Sequence, residues 1–183
     1  RAFGADLIVS GEQEIADACR ILKSKKRLAD TTRFGFVQLE EPSKSTVLAW
    51  KPGSPIERRA AAIVFDNKTG ATHQAVVDLS TKTVTRWDQH DHKSSPYGQP
   101  PIIIEDFFKV GDIVKADPGW RKAVKRRGLS DADIELVQVD PFSAGYFGRD
   151  LDQGRRLVSA VSYYRADIKD NGYAHPIEGV VAL

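Results

Sequence analysis

Arg59-Ala60-Ala61-Ala62-Ile63-Val64-Phe65-Asp66 and Thr72-His73-Gln74-Ala75-Val76-Val77-Asp78-Leu79 decide the fold class of this chain. Both runs are short, rich in β-branched and small apolar residues, and bounded by turn residues. Between them lies Asp66-Asn67-Lys68-Thr69-Gly70, a polar loop ending in glycine, and that combination predicts a tight antiparallel hairpin. Working outward, Ser80-Thr81-Lys82 makes a second hairpin into Val84–Trp87. On the upstream side, Arg33–Glu40 and Thr46–Trp50 read as further strands. Before them, Ser10 and Gln13 form a capping box. Ile15, Ala18, Cys19 and Leu22 then recur at helical spacing, opposite Glu12, Lys23 and Lys26. One helix followed by a meander is an α+β unit, with the helix on one face of an antiparallel sheet.

Asp88–Pro101 is polar, rich in His, Ser, Gly and Pro, and without periodicity, which marks it as a linker. Beyond it Ile104, Phe107, Phe108, Gly111 and Val114 lie on one helical stripe. Asp117-Pro118 starts another helix as N-cap and first helical residue, and Gly128 ends it. Strand-like segments follow over Ile134–Val139, Arg156–Arg165 and Ile177–Leu183. The second half therefore repeats the order of the first, helix and then strands. Ala75-Val76-Val77-Asp78-Leu79 and Gly179-Val180-Val181-Ala182-Leu183 match loosely, as distant repeats would. An apolar strand is an unusual chain end, and it reads as truncation.

The chain has 183 residues and a formal charge of +2. That near-balance gives no general reason to expect a nucleic acid or an acidic membrane. No apolar run approaches the ~20 residues that cross a bilayer. Arg1-Ala2-Phe3-Gly4-Ala5-Asp6 does not have the form of a signal peptide. Cys19 is the single cysteine, so no internal disulfide and no multi-thiolate zinc site can form. It is expected to pack as a small apolar residue. The compartment stays undetermined.

From Asp140 onward the residues resemble a known family. Asp140-Pro141-Phe142-Ser143-Ala144-Gly145, Gly154-Arg155-Arg156-Leu157 and Tyr173-Ala174-His175-Pro176-Ile177-Glu178-Gly179 follow, in order and spacing, a pattern of the copper amine oxidases. Pro100-Pro101 before Ile104-Glu105-Asp106-Phe107 is similar to the start of that family's third domain. Thr69-Gly70-Ala71 through Val76-Val77-Asp78-Leu79 is similar to the hairpin of its second. The resemblance implies two cystatin-like α+β domains, residues 1–92 and 98–183, joined by a linker at about 88–101. The second would be truncated at its last strands.

The same resemblance implies an oxidoreductase parent, usually a homodimer, that oxidises primary amines with dioxygen to aldehyde, ammonia and hydrogen peroxide. Its cofactors would be copper and topaquinone, both in a C-terminal domain absent here. No Asn-Tyr pair, the seed of that quinone, occurs in this sequence. The chain is therefore expected to be non-catalytic, to hold no cofactor or metal, and to have the missing catalytic domain as its partner. It would supply scaffold and part of the wall of the amine channel. The resemblance puts Pro141, Phe142 and Tyr173 in that wall, with Phe107 a further candidate; helical pattern alone makes Phe107 core.

Other motifs read as ordinary structure. His90-Asp91-His92 has the His-X-His spacing of copper ligands, but it falls in the linker and reads as solvated loop. Arg121, Lys122, Lys125, Arg126 and Arg127 cluster near a helix C-terminus, where they complement its negative end. They also carry the alternative reading, an independent α+β module that contacts nucleic acid or protein through residues 121–127. Gly145-Tyr146-Phe147-Gly148 has a Gly-x-x-Gly form that a turn explains. Asn67-Lys68-Thr69 fits a glycosylation sequon, but its residues are good hairpin residues and turn chemistry is the better reading. Asp131 and Asp133 precede a strand with nothing to pair them catalytically.

Overall fold

The computed structural model describes residues 11–91, 93, 99–145 and 148–183. Ser10, His92, Tyr146, Phe147 and the first six residues, on which expectations were placed, lie outside them. The chain divides into two compact units, 1–100 and 101–183, each with its own antiparallel sheet.

In unit 1, helix α1 (Glu12–Lys26) is followed by β1 (Thr32–Leu39), a short helix α2 (Lys44–Ala49), β2 (Arg59–Asp66), β3 (Thr72–Asp78) and β4 (Thr83–His90). The four strands form a meander in sequence order. The predicted hairpin is present: Phe65 pairs with Thr72 and Ala62 with Ala75. Its turn is held by Asp66, whose carboxylate accepts from the N–H groups of Lys68 (2.9 Å) and Thr69 (2.7 Å). The Thr31 hydroxyl and the Thr69 N–H hold that carboxyl down to about 2. Ile21 and Leu22 of α1 pack on Ala62, Val64, Ala75 and Val77. Each such large buried side chain contributes roughly 1.5–3 kcal/mol.

Helix α1 differs in detail from its sequence pattern. Its N-cap is Gly11, whose N–H donates to Glu14 Oε2 at 3.0 Å. Ile21 is buried and Ile15 is exposed, while Cys19 is half-buried, with desolvation pushing its thiol above the usual value. Thr46–Trp50, expected as a strand, is α2 and its C-cap, and α2 buries no residue. His90, assigned by sequence to the linker, instead ends β4 and pairs with Thr72.

Unit 2 contains α3 (Ile104–Ala116), α4 (Pro118–Lys125), α5 (Asp131–Leu136), β5 (Gln138–Ser143), β6 (Val158–Tyr163) and β7 (Pro176–Ala182). Its sheet runs β5-β6-β7. Asp117 caps α4 by accepting from Trp120 N–H at 2.6 Å, Pro118 opens it, and Gly128 follows at φ +89°. Val114, Trp120, Val124, Ile134, Val139, Ala160, Ile177 and Val180 form the core. The buried Trp120 indole donates to Ser162 Oγ at 3.0 Å.

Two expectations fail in this unit. The first part of Ile134–Val139 is helix: Ser130 and Asp133 cap α5 reciprocally, and Ile134 is fully buried from it. Asp131 and Asp133 are thus first-turn helix residues. On α3 only Val114 of the predicted stripe is buried, whereas Ile104, Phe107 and Phe108 are exposed. The packed face runs through Asp106, Val110 and Val114 instead. Asp106 pairs with Arg156 at 2.6 Å, and Arg156 also donates to Pro101 O at 3.0 Å. Burial pushes the Asp106 carboxyl up, but Arg156 and the Ile103 N–H more than offset it, leaving it below its usual value.

Candidate functional site

Period-two alternation sorts the sheet of unit 2 into two faces. Val139 and Pro141 point inward, opposite Ser162 and Ala160. Gln138, Asp140 and Phe142 point outward, opposite Tyr163, Val161 and Ser159, and Val161 continues across to Val181. Pro141 costs the sheet little, because β5 is an edge strand and a missing N–H is tolerated there. Val181 is 63% exposed and Phe142 47%, so this outward face is open and partly apolar.

Tyr173 joins that face from the short 3-10 turn Gly172–Ala174. Asn171 Oδ1 caps the turn by accepting from Tyr173 N–H at 3.2 Å. Gly172 is buried so tightly that a Cβ would fall 2.9 Å from Gln138 Oε1 and 3.3 Å from Tyr163 Cβ. That close approach sets the next ring edge-on to Tyr163, with centroids 5.1 Å apart. The Tyr173 hydroxyl reaches Asp140, whose hydrogen bond and charge hold the phenol above its usual pKa. Asp140 also accepts from Gln138 Nε2 at 2.8 Å. Tyr173 is nevertheless 62% exposed. A half-open aromatic surface around one fixed carboxylate can bind an apolar body that carries a positive charge.

Of the four residues selected from sequence, Phe142 and Tyr173 thus share one face. Pro141 is buried on the other side of β5, and Phe107 is exposed on α3, a separate element. Asp140, Gln138 and Tyr163 were missed as site residues. The alternation of Gln138, Asp140 and Phe142 along β5 was the signal, hidden because the strand was placed several residues too early.

The basic cluster is largely consumed by structure. Asp131 binds Arg121 at 2.8 Å and Lys125 at 2.7 Å, and those two cations hold its carboxyl below the usual range. Arg127 donates to the Glu178 and Ala123 carbonyls. Among the described residues no group of three His, Cys, Asp or Glu side chains could hold a metal ion. His73 is stacked on Trp87, and His175 lies 3.9 Å from Asp170. No described helix is long and apolar enough to cross a membrane.

Two family models match, the AGAO-like N2 domain over residues 11–87 and the copper amine oxidase N3 domain over residues 105–183. Curated relatives include a primary amine oxidase of Arthrobacter sp. (strain P1), 38% identical over 93% of this chain and 25% of its own length. The histamine oxidase of Arthrobacter globiformis is 32% identical over 93% of the chain and 24% of its own. The primary amine oxidase of Klebsiella aerogenes is 33% identical over 93% and 22%. A crystal structure of a copper-containing benzylamine oxidase from Hansenula polymorpha superposes with a TM-score of 0.72 over 93% of this chain and 26% of that one. At 17% identity that likeness shows the fold alone. The chain belongs to the copper amine oxidases and comprises their second and third N-terminal domains. It spans about a quarter of the length of these relatives. Nothing in the comparisons favours an independent nucleic-acid or protein-binding module.

Copper and topaquinone are properties of this family, and the residues here do not fit either group. The quinone's Asn-Tyr seed is missing from the sequence, and the described histidines do not converge. No chemical step is therefore assigned to this chain.

Proposed function

We propose that residues 1–92 and 98–183 are two non-catalytic domains of a primary amine oxidase, joined at about 88–101, and that the open sheet face of the second forms part of the path by which amines approach. The parent would oxidise primary amines with dioxygen, using copper and topaquinone held by a catalytic domain that is this chain's partner, in a homodimer. The observation that carries the channel reading is the exposed pair Phe142 and Tyr173 flanking Asp140 on a strand face whose opposite side is packed. Exposed apolar side chains gathered on one face, as Phe142, Val181 and the Tyr173 ring are, mark interaction or ligand-binding surfaces, unlike apolar residues scattered singly. Pro141 supports the strand from behind, and Phe107, exposed on α3 at the packed side of the sheet, would meet the amine path only as a separate part of the wall.

The test belongs in the parent enzyme. A wall residue touches the substrate's tail in ground and transition states alike, so Tyr173→Ala should act mainly on KM. The loss should be ~10–200-fold at most, and should change the ranking of aromatic against short aliphatic amines. Copper content and the phenylhydrazine titre of the quinone should stay intact. An unchanged ranking would leave these domains as scaffold alone. The 183-residue chain by itself should release no peroxide from amines, since it lacks both cofactors.

A further inference from the structure

Among the residues that β5 and β6 turn outward, Asp140 is the single charge. Its neighbours on that face are largely apolar. Period two puts Phe142 on the same side of β5, and the register sets Val161 directly opposite Asp140, with Val181 beyond it. Tyr173, edge-on to Tyr163, reaches it from the 3-10 turn. Asp140 is half-buried in these surroundings, where an ionised carboxylate is poorly solvated.

The groups that hold this carboxylate leave its charge intact. Gln138 Nε2 donates to Asp140 Oδ2 at 2.8 Å. The Tyr173 hydroxyl is the other partner, and its hydrogen bond to Asp140 keeps the phenol above its usual range, so it stays a neutral donor. Among the described residues no lysine, arginine or histidine pairs with Asp140. Asp106 and Asp131 of the same unit differ: Arg156 meets the first at 2.6 Å, and Arg121 and Lys125 meet the second. A carboxylate offers about four lone-pair sites, so two donors leave roughly two open. The group is also fixed in place. A Cβ on Gly172 would fall 2.9 Å from Gln138 Oε1, so the turn that bears Tyr173 is wedged against the residue that orients Asp140.

These residue types select a cation on an apolar stem. An anion is repelled, and a neutral apolar body leaves the carboxylate unmatched. An ammonium group instead donates to Asp140 beside the face of the Tyr173 ring, while methylenes cover Phe142 and Val161. On an amine path, however, the nitrogen to be oxidised must travel on to the catalytic domain. A charge retained at Asp140 is then a second one, at the far end of the same substrate.

We infer that Asp140 is a specificity-determining residue of the parent enzyme, holding the distal ammonium of a diamine while the other nitrogen is oxidised. The inference rests on the channel reading proposed above and adds the substrate class to it.

The test is steady-state kinetics of the parent enzyme on 1,4-diaminobutane, 1,6-diaminohexane and 1,8-diaminooctane. Each is compared with the monoamine that has carbon in place of the distal nitrogen, and with the amino alcohol that has oxygen there. At the length that fits, kcat/KM for the diamine should exceed both by about fivefold or more, between the effects of an exposed ion pair and a desolvated charged hydrogen bond. Asp140→Asn should bring that ratio close to one, with copper content and quinone titre retained. No excess at any length, an amino alcohol as good as the diamine, or an excess that survives Asp140→Asn would overturn the assignment. Tyr173→Ala separates it from the channel reading. If that variant reorders aromatic and aliphatic amines while Asp140→Asn keeps the diamine excess, the wall stands and the role of Asp140 falls. If neither variant alters any ranking, both fall. Should Asp140→Asn not fold, the native enzyme decides: a diamine excess over the amino alcohol upholds the assignment, and parity removes it.

Discussion

His73 lies on β3 with its imidazole stacked on Trp87, centroids 4.3 Å apart and planes 19° from parallel, and Lys26 Nζ stands 5.1 Å from the Trp87 ring centre. Burial, and then the Lys26 charge, lower its pKa from the ordinary 6.5. The folded state therefore prefers the neutral ring. Its contribution is complete above the unfolded pKa of 6.5, and is lost as pH falls from there through the lower folded pKa. We expect the melting temperature to drop between pH 7 and pH 5 by more in the native chain than in His73→Gln. Parallel melts of the two proteins across that range check it, and identical pH slopes would show that His73 is indifferent to its stack. At the same scale, Trp120 and Ser162 share a buried hydrogen bond. Ser162→Ala leaves the indole N–H without a partner, at a cost of about 1–3 kcal/mol in denaturant unfolding. A loss well under that range would mean water replaces the hydroxyl.

Among the elements, Ser130 binds Asp133 N–H and receives its carboxylate in return, the reciprocal cap that starts α5. Ser130→Ala should cost roughly 1 kcal/mol, read from chemical denaturation; an unchanged midpoint would show that Ile134's burial alone holds α5. That same cap explains what could be read from sequence. Ser130 with Asp133 was a legible start signal, but the apolar run from Ile134 outweighed it, and short apolar runs do not reveal their period. Thr46-Val47-Leu48 failed likewise: β-branched residues suggested a strand, while Ser43 capped a helix. On α3 the longest apolar stripe pointed to the wrong face, because the packed face includes Asp106, made apolar-compatible only by Arg156 fifty residues away. The hairpin of β2 and β3 was legible because its loop chemistry and its alternation agree. Phe142 and Tyr173 came from family resemblance. Their meeting around Asp140 depends on a turn and a sheet register that no local pattern encodes.

At the largest scale, the described residues form two core clusters, one under α1 and one under α3–α5, with no described buried residue common to both. The sheets are likewise separate. The segment between β4 and α3 is polar and unpatterned, and the two family matches stop and start on either side of it, at 87 and 105. Each unit thus has the elements of an independent folding domain, although bodies of this size bury proportionally little surface and are marginal. We expect residues 1–100 and 101–183, produced separately, each to keep its own core. The native Trp120 indole resonance, bonded to Ser162, should persist in the second piece, and the shift of Trp87 on His73 should persist in the first. Cooperative denaturant transitions should remain in both. Collapse of the Trp120 resonance to its random-coil position in the isolated second piece, with the first unaffected, would show that unit 2 requires unit 1 to fold. The polar stretch would then be a covalent tether inside one cooperative unit, rather than a boundary between two.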